Sequence, residues 1–372
     1  AQPTLVDYFG PEVLNLDVGP NVSGIDYGAT DNPLTDSLAL AADAWGAHRT
    51  WFLTNGASMG NLMACLTMAN FGSQIVVQRS VHSSVVDGIA LGGLDPVFVT
   101  PSIDFNLGIA NGVTPEALDQ ALTSADHAVA AYVITPSYFG AVSDVTELAR
   151  VAHSHGVPLI VDEAWGAHFG FHPDLPNNAI RLGADIVISS THKLGGSLGQ
   201  TAMLHLGKSE FTARVEPLLD RSFQSLQSTS ASSILLASLD LARRNLVIEG
   251  KTSIASSIDA FAQIRTGIAA ENRFQDISNA LMNHPDVIAI DPLRLSINTH
   301  IGGISGHEAR SILLTEHEIH CEMANATTIV MLIGAGVIPD VERTLHALHA
   351  LPTGASLHSA LTLPDPGSRA MS

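Results

Sequence analysis

From residue 34 to about residue 206 the chain alternates between two textures. Short apolar, β-rich runs are separated by stretches with helical spacing. The runs predict strands at Thr50–Thr54, Gln74–Gln78, Pro96–Thr100, Ala128–Ile134, Pro158–Asp162, Asp185–Ser189 and Thr201–His205. The stretches before and between them predict helices at Leu34–Trp45, Ser58–Asn70, Ser83–Leu91, Pro115–Thr123, Val145–His155 and Asn177–Leu182. Several strands, such as Pro158-Leu-Ile-Val-Asp162, are apolar throughout, as expected of a sheet covered on both faces. Sustained strand–helix alternation implies an α/β unit built on a mostly parallel, seven-stranded sheet.

Residues 1–33, rich in Gly, Pro, Asn and Asp, read as an irregular lead-in. Beyond Gly207 longer helical patterns cover Ile234–Glu249 and Ile254–Ala280. They are followed by β-like pieces (Val287–Ile290, Leu295–Asn298), a helix near His307–Glu316 and an apolar run at Ala326–Ile333. The expected division is a large α/β domain over residues 34–245, then a helical connection and small α+β domain over 246–372, with an irregular tail from Leu351.

Composition narrows the functions. With 36 acidic and 17 basic residues the net charge is −19, which disfavours a nucleic-acid backbone as partner. Only 14% of residues are charged while 46% are hydrophobic, which suggests that apolar surface is buried against another subunit or, alternatively, covered by a segment not in this sequence. Cys65 and Cys321 sit in apolar, periodic sequence and read as reduced core residues of a cytoplasmic protein. No metal-spaced cluster, leader sequence or membrane-length apolar run is evident.

Four strings that follow predicted strands can carry chemistry. Ser189-Ser-Thr-His-Lys193-Leu-Gly-Gly presents a lysine among groups able to bind an anion. A desolvated lysine can be neutral enough to form a Schiff base. Leu159-Ile-Val-Asp162 places a carboxylate at the carboxyl end of a buried strand, where ligands of open α/β sheets collect. Thr54-Asn-Gly56-Ala57-Ser58 opens a helix whose N–H groups suit a phosphate. Arg79-Ser-Val-His82 sets an imidazole at another helix start, where it could stack on a planar cofactor. Each has a plain structural alternative: a solvated lysine, a helix cap, a turn. Their shared position at strand ends is what a single cofactor site requires.

These strings resemble the catalytic core of the ornithine/lysine/arginine decarboxylases, fold-type-I enzymes that use pyridoxal 5′-phosphate (PLP). The resemblance runs from about Gly10 to Asn245, and more loosely to about Gly336. It rests on Phe52-Leu-Thr-Asn-Gly-Ala-Ser-Met-Gly-Asn61, Thr135-Pro-Ser-Tyr-Phe-Gly140, Val161-Asp-Glu-Ala-Trp-Gly-Ala-His168, Ser190-Thr-His-Lys193 and Ala237-Ser-Leu-Asp-Leu-Ala-Arg243. The resemblance implies that Lys193 carries PLP as a Schiff base and that Asp162 keeps the pyridine nitrogen protonated. It implies that His82 stacks on one face of the ring and that Ala164 packs against the other. Ala57, Ser58, Ser190 and His192, with the turn at Gly56, would surround the phosphate, and Trp165 and His168 would lie near the ring's edge. Family members assemble as dimers with the cofactor at the interface, which makes Ser228 and Thr229 candidates to reach a partner's phosphate. Glu322 falls where the family has an acidic residue and is the candidate for a cationic substrate side chain.

The family's Pro-Gly-His-Lys segment before residue 10 and its C-terminal domain have no counterpart in this sequence. The expected reaction is decarboxylation of lysine, ornithine or arginine. The alternative is another PLP reaction on the same core, such as transamination, aldol cleavage or elimination. A regulatory subunit without activity would be expected to lose Lys193 or Asp162, and both are present. A dinucleotide-binding dehydrogenase would need a GxGxxG after the first strand, and none is there.

Overall fold

The computed structural model describes residues 3–19 and 32–354. Its centre is a seven-stranded sheet of β1 (Arg49–Leu53), β2 (Gln74–Gln78), β3 (Asp95–Val99), β4 (Ala128–Ile134), β5 (Leu159–Asp162), β6 (Ile186–Ser189) and β7 (Ala202–Leu206). The strand order is β1-β7-β6-β5-β4-β2-β3. Only β7 runs against the rest, pairing antiparallel with both β1 and β6. The other neighbours are parallel.

The strands are apolar on both faces because each face meets its own layer of helices. Ile75, Val77, Tyr132, Ile160 and Ile188 point into one core with helices Gly56–Met68, Ser83–Gly92 and Thr212–Leu226. The alternate residues Val76, Ala131, Val133, Leu159, Val161 and Val187 point into the other, against helices Pro115–Ser124 and Val145–Ser154. Period-two alternation therefore persists, with apolar residues in both phases.

Beyond the sheet a single helix runs from Ser233 to Glu271, 39 residues, where the sequence predicted two. It continues through Gly250, which lies against Phe171, and it crosses position 245. It stops at Glu271 rather than Ala280 because Asn272 takes the left-handed conformation, φ 52°. A second, antiparallel sheet follows, in the order Gln275–Asp276, Arg294–Asn298, Thr328–Leu332, Met323–Ala324. Helices Gly306–His317 and Val341–Ala350 pack on it, sharing a core with the long helix.

Three further differences have local causes. Within the lead-in expected to be irregular, Pro3–Phe9 and Pro11–Asn15 are helical, while residues 20–31 lie outside the described residues. Asn177–Leu182 forms no helix: residues 179–183 are turn, ending at Gly183 with φ 104°. Helix Thr212–Leu226 escaped the periodicity reading because it carries Pro217 in its interior. Of the tail expected to be irregular, residues 355–372 are outside the described residues. No helix among the described residues is long and apolar enough to cross a membrane.

Candidate active site

Parallel strands bring their carboxyl ends to one edge of the sheet, and the four chemical strings all leave from it. Gly56 follows β1, His82 follows β2, Asp162 ends β5, and Ser190–Lys193 follows β6. Between them lies a cavity of about 190 Å3. Of the residues singled out in the sequence, Gly56, Ala57, Ser58, His82, Asp162, Ala164, Trp165, Ser190, His192 and Lys193 line it. Asn61, Ile134 and Tyr138 line it too, and the motifs assigned them no role.

Lys193 stands on a wide π-type turn, Thr191–Gly195, entered directly from β6. The turn is closed by His192, whose backbone N–H (3.3 Å) and Nδ1 (2.7 Å) both meet the Thr201 carbonyl at the start of β7. A carbonyl only accepts, so Nδ1 is the donor there. Lys193 Nζ lies 3.6 Å from the centre of the Trp165 ring. Burial, helped by the nearby Arg294 cation, lowers the Lys193 amine to about 8, against the opposing pull of Asp162 and Glu322. At neutral pH an appreciable share of it is therefore the free amine, the form that attacks a carbonyl.

Asp162 is 2% exposed. Oδ1 accepts from the Ala164 backbone N–H at 3.0 Å and Oδ2 from Asn61 Nδ2 at 3.1 Å. Burial raises its pKa despite those two bonds and the nearby Lys193 and His82. A buried carboxylate short of compensation stabilises a cation brought against it.

Another part of the cavity lining suits an anion. Helix Gly56–Met68 begins with Asn55, whose side chain makes no capping bond. By contrast Asn32, His82, Thr114 and Asp144 each cap the helix that follows them. The first N–H groups of Gly56–Met68 thus lack a side-chain acceptor, and the Ser58 and Ser190 residues line the same cavity. The Gly56 N–H donates to the Gln200 carbonyl at 2.7 Å, and the end favours negative charge through the donors that follow it and its dipole.

Three residues expected at the site do not line the cavity. His168 is fully buried, with Nε2 3.1 Å from Asp291 Oδ1. Ser228 and Thr229 lie exposed, where Ser228 Oγ bonds only within its own loop. The neighbouring Gln227 does reach inward, donating to Thr54 Oγ1 at 2.7 Å.

From the smaller sheet comes a cation that the motifs did not mark. Arg294 is 1% exposed, lies 4.5 Å from the Trp165 ring centre and donates to the Tyr138 carbonyl at 2.6 Å. Gly140 is required beside it: φ is 93°, and a Cβ there would lie 2.9 Å from Arg294 Cβ. Glu322 is exposed, and its charge is felt by Lys193, Arg294 and Tyr138.

Residues 1–338 match the family described as Orn/Lys/Arg decarboxylase, major domain. This chain belongs to that family. An arginine decarboxylase of Halalkalibacterium halodurans is 34% identical over 361 residues, 96% of this chain and 72% of that protein. The constitutive lysine decarboxylase of Escherichia coli has the same fold, with a TM-score of 0.75 at 19% identity. That alignment takes in 94% of this chain but only 56% of the lysine decarboxylase, so the chain spans little more than half of it. A structure titled SPT with PLP aligns at a TM-score of 0.66 and 19% identity, covering 93% of this chain and 80% of that one. The fold is thus that of fold-type-I PLP enzymes, and the cofactor the family implies is PLP. The cavity fits it: a partly neutral lysine, a buried acid with too little compensation, and a helix end whose donors no side chain caps.

Proposed function

We propose that this chain removes CO2 from a basic amino acid to give the corresponding amine, with arginine the first substrate to test. The observation that carries the reading is that Lys193 and Asp162, from the ends of neighbouring strands β6 and β5, open into one cavity. Arginine comes first because relatives named arginine decarboxylase are 32–34% identical, against 24–26% for those named lysine decarboxylase.

In this reading Lys193 is the residue that would hold the cofactor's aldehyde carbon. Ala57, Ser58 and Ser190, with His192, would hold the phosphate. PLP supplies a cationic ring able to take up the electron pair left when CO2 departs. Asp162, a buried carboxylate, would hold that ring nitrogen protonated by opposing it with a negative charge. His82, Ala164 and Trp165 line the cavity and would supply its apolar and aromatic contacts to the ring. The Lys193 amine, which lines the same cavity, would be the group to return a proton to the substrate carbon. Glu322 is the carboxylate toward which a substrate guanidinium or ammonium would point.

The proposal includes a homodimer. Leu16, Leu198 and Leu241 are exposed around one groove beside the Lys193 turn. A partner on that side would cover them, and exposed Ser228 and Thr229 are suited to reach the partner's phosphate. The division into a large unit over 34–245 and a smaller one over 246–372 belongs to the same proposal, as does a cytoplasmic location, supported by two buried, unpaired cysteines.

The test is direct. Purified protein reconstituted with PLP is incubated with arginine, lysine and ornithine, and CO2 and amine are measured. Arginine should give both in equal amounts. A protein with a strong visible cofactor band that releases no CO2 from any of the three would end the decarboxylase reading.

Uptake of the cofactor should itself depend on pH. The neutral amine is the reactive form, and Lys193 is lowered to about 8. The second-order rate of PLP uptake by the apoprotein should therefore rise with pH, bend near 8 and flatten above. Stopped-flow absorbance follows it. A rate still climbing at about pH 10, the range of an ordinary lysine, would show that burial does not activate Lys193.

A further inference from the structure

Asn61 lies in the middle of helix Gly56–Met68, on the face turned to the sheet, and is 1% exposed. Both N–H donors of its amide and one lone pair of its oxygen are engaged. Nδ2 donates to Asp162 Oδ2 at 3.1 Å and to Ser84 Oγ at 2.9 Å. Oδ1 accepts from the Tyr132 hydroxyl at 2.9 Å. The chain continues from Ser84, whose Oγ lies 2.8 Å from His82 Nδ1 and whose backbone N–H also points at that nitrogen, at 3.2 Å. Tyr132, Ser84 and Asp162 are all buried, so water is kept from the links of Asn61 to them, while His82 at the chain's end is exposed.

We propose that Asn61 is a positioning residue: it ties Asp162 and His82 into one hydrogen-bonded chain of fixed direction, with the His82 proton on Nε2, the nitrogen left to the cavity. The inference rests on the PLP reading of the site. Its direction follows from an ionised Asp162, which only accepts. Asn61 must then turn its NH2 to Asp162 and its oxygen to Tyr132. Its second N–H falls to Ser84 Oγ, so the Ser84 hydroxyl proton goes to His82 Nδ1. With two donors aimed at it, Nδ1 carries no proton, and the neutral ring is an Nε2–H donor. His192 has the reverse arrangement, since its Nδ1 donates to Thr201. The two cavity imidazoles therefore present opposite hydrogen-bonding characters, one a donor and one an acceptor while neutral.

Asn61 also supports Asp162 as a charge. The groups that face this carboxylate are Lys193 and His82, which favour its ionised form, and Asn61 and Ala164 N–H, which do the same by hydrogen bonding. Tyr132, Tyr138 and the buried Glu163 are the other titratable groups coupled to it. Without the Asn61 N–H, Asp162 would take up a proton at higher pH, and the ring nitrogen would lose its opposing charge there.

Two measurements test this. Nitrogen-15 NMR of histidine-labelled holoenzyme, with the His82 signal assigned by its loss in His82→Gln, should show the Nε2–H form. An Nδ1–H signal would overturn the chain's direction, and that result needs no variant of Asn61. In Asn61→Leu the acid limb of the kcat–pH profile should move up by about one unit, with kcat down about tenfold at low pH and KM changed by less than about twofold. Its affinity for PLP, titrated into the apoprotein, should fall as well. A kcat reduced equally at every pH, or left unchanged, would make Asn61 merely structural or irrelevant. The visible band and substrate screen of the wild type remain the separate test of the PLP reading, so failure of one is distinguishable from failure of the other.

Discussion

Lys193→Ala is expected to abolish the visible absorbance of the bound cofactor and to lower turnover by about three orders of magnitude or more, the scale of losing a covalent anchor. The physical reason is specific to this amine. It enters from β6 on a turn closed by His192 and Thr201, sits over Trp165 and is lowered to about 8 by burial beside Arg294. Burial disfavours the charged amine, so removing it relieves a desolvation cost, and the variant should unfold at the same temperature as the wild type or higher. That combination separates a chemical role from a structural one. A stable variant that kept both the band and full activity would mean that another group holds the cofactor. Absorbance, thermal unfolding and CO2 release on one preparation decide it.

Asp162→Ala should behave differently. The lysine remains, so the visible band should persist, while turnover falls by roughly two to three orders of magnitude because the ring loses the acid that keeps it an electron sink. The Ala164 N–H and Asn61 amide would each lose an acceptor in a buried place, at a cost on the order of 1–3 kcal/mol per unpaired group. Affinity for PLP should weaken for the same reason, so the measurement is made at saturating cofactor. Rates near the wild type would rule out the electrostatic role. A variant that lost the band altogether would show that Asp162 contributes chiefly to holding the cofactor.

The sequence revealed most about the large sheet. Runs such as Ala128–Ile134, and the four residues before Asp162, are apolar in both phases of the strand, and that pattern arises only when both faces are covered. The chemical strings were legible because each is contiguous and each leaves a strand at its carboxyl end, the edge where parallel sheets collect their loops. Legibility failed where a residue's role depends on what packs against it. Asn61 looks like any polar residue in a helix. Nothing nearby in the chain says that its partner is Asp162, 101 residues away. His168 lies in the same string as Asp162 and reads as its neighbour, yet the turn after Ala164 carries it away to Asp291.

What the sequence by itself determined, then, is the alternation of strands and helices and the family; it also singled out the lysine, the acid and the helix end that the structure brings to one cavity. The alternation follows from local hydrophobic period, which acts over a few residues, and the family from contiguous strings that resemble it. The tertiary structure alone decided that Asn61 and Tyr138 join them, that Arg294 arrives from the second sheet to lie over Trp165, and that Ser228 and Thr229 stay outside. Those outcomes depend on strand order and on the seating of the small sheet. Both are set by contacts between residues far apart in the chain, which no local pattern encodes.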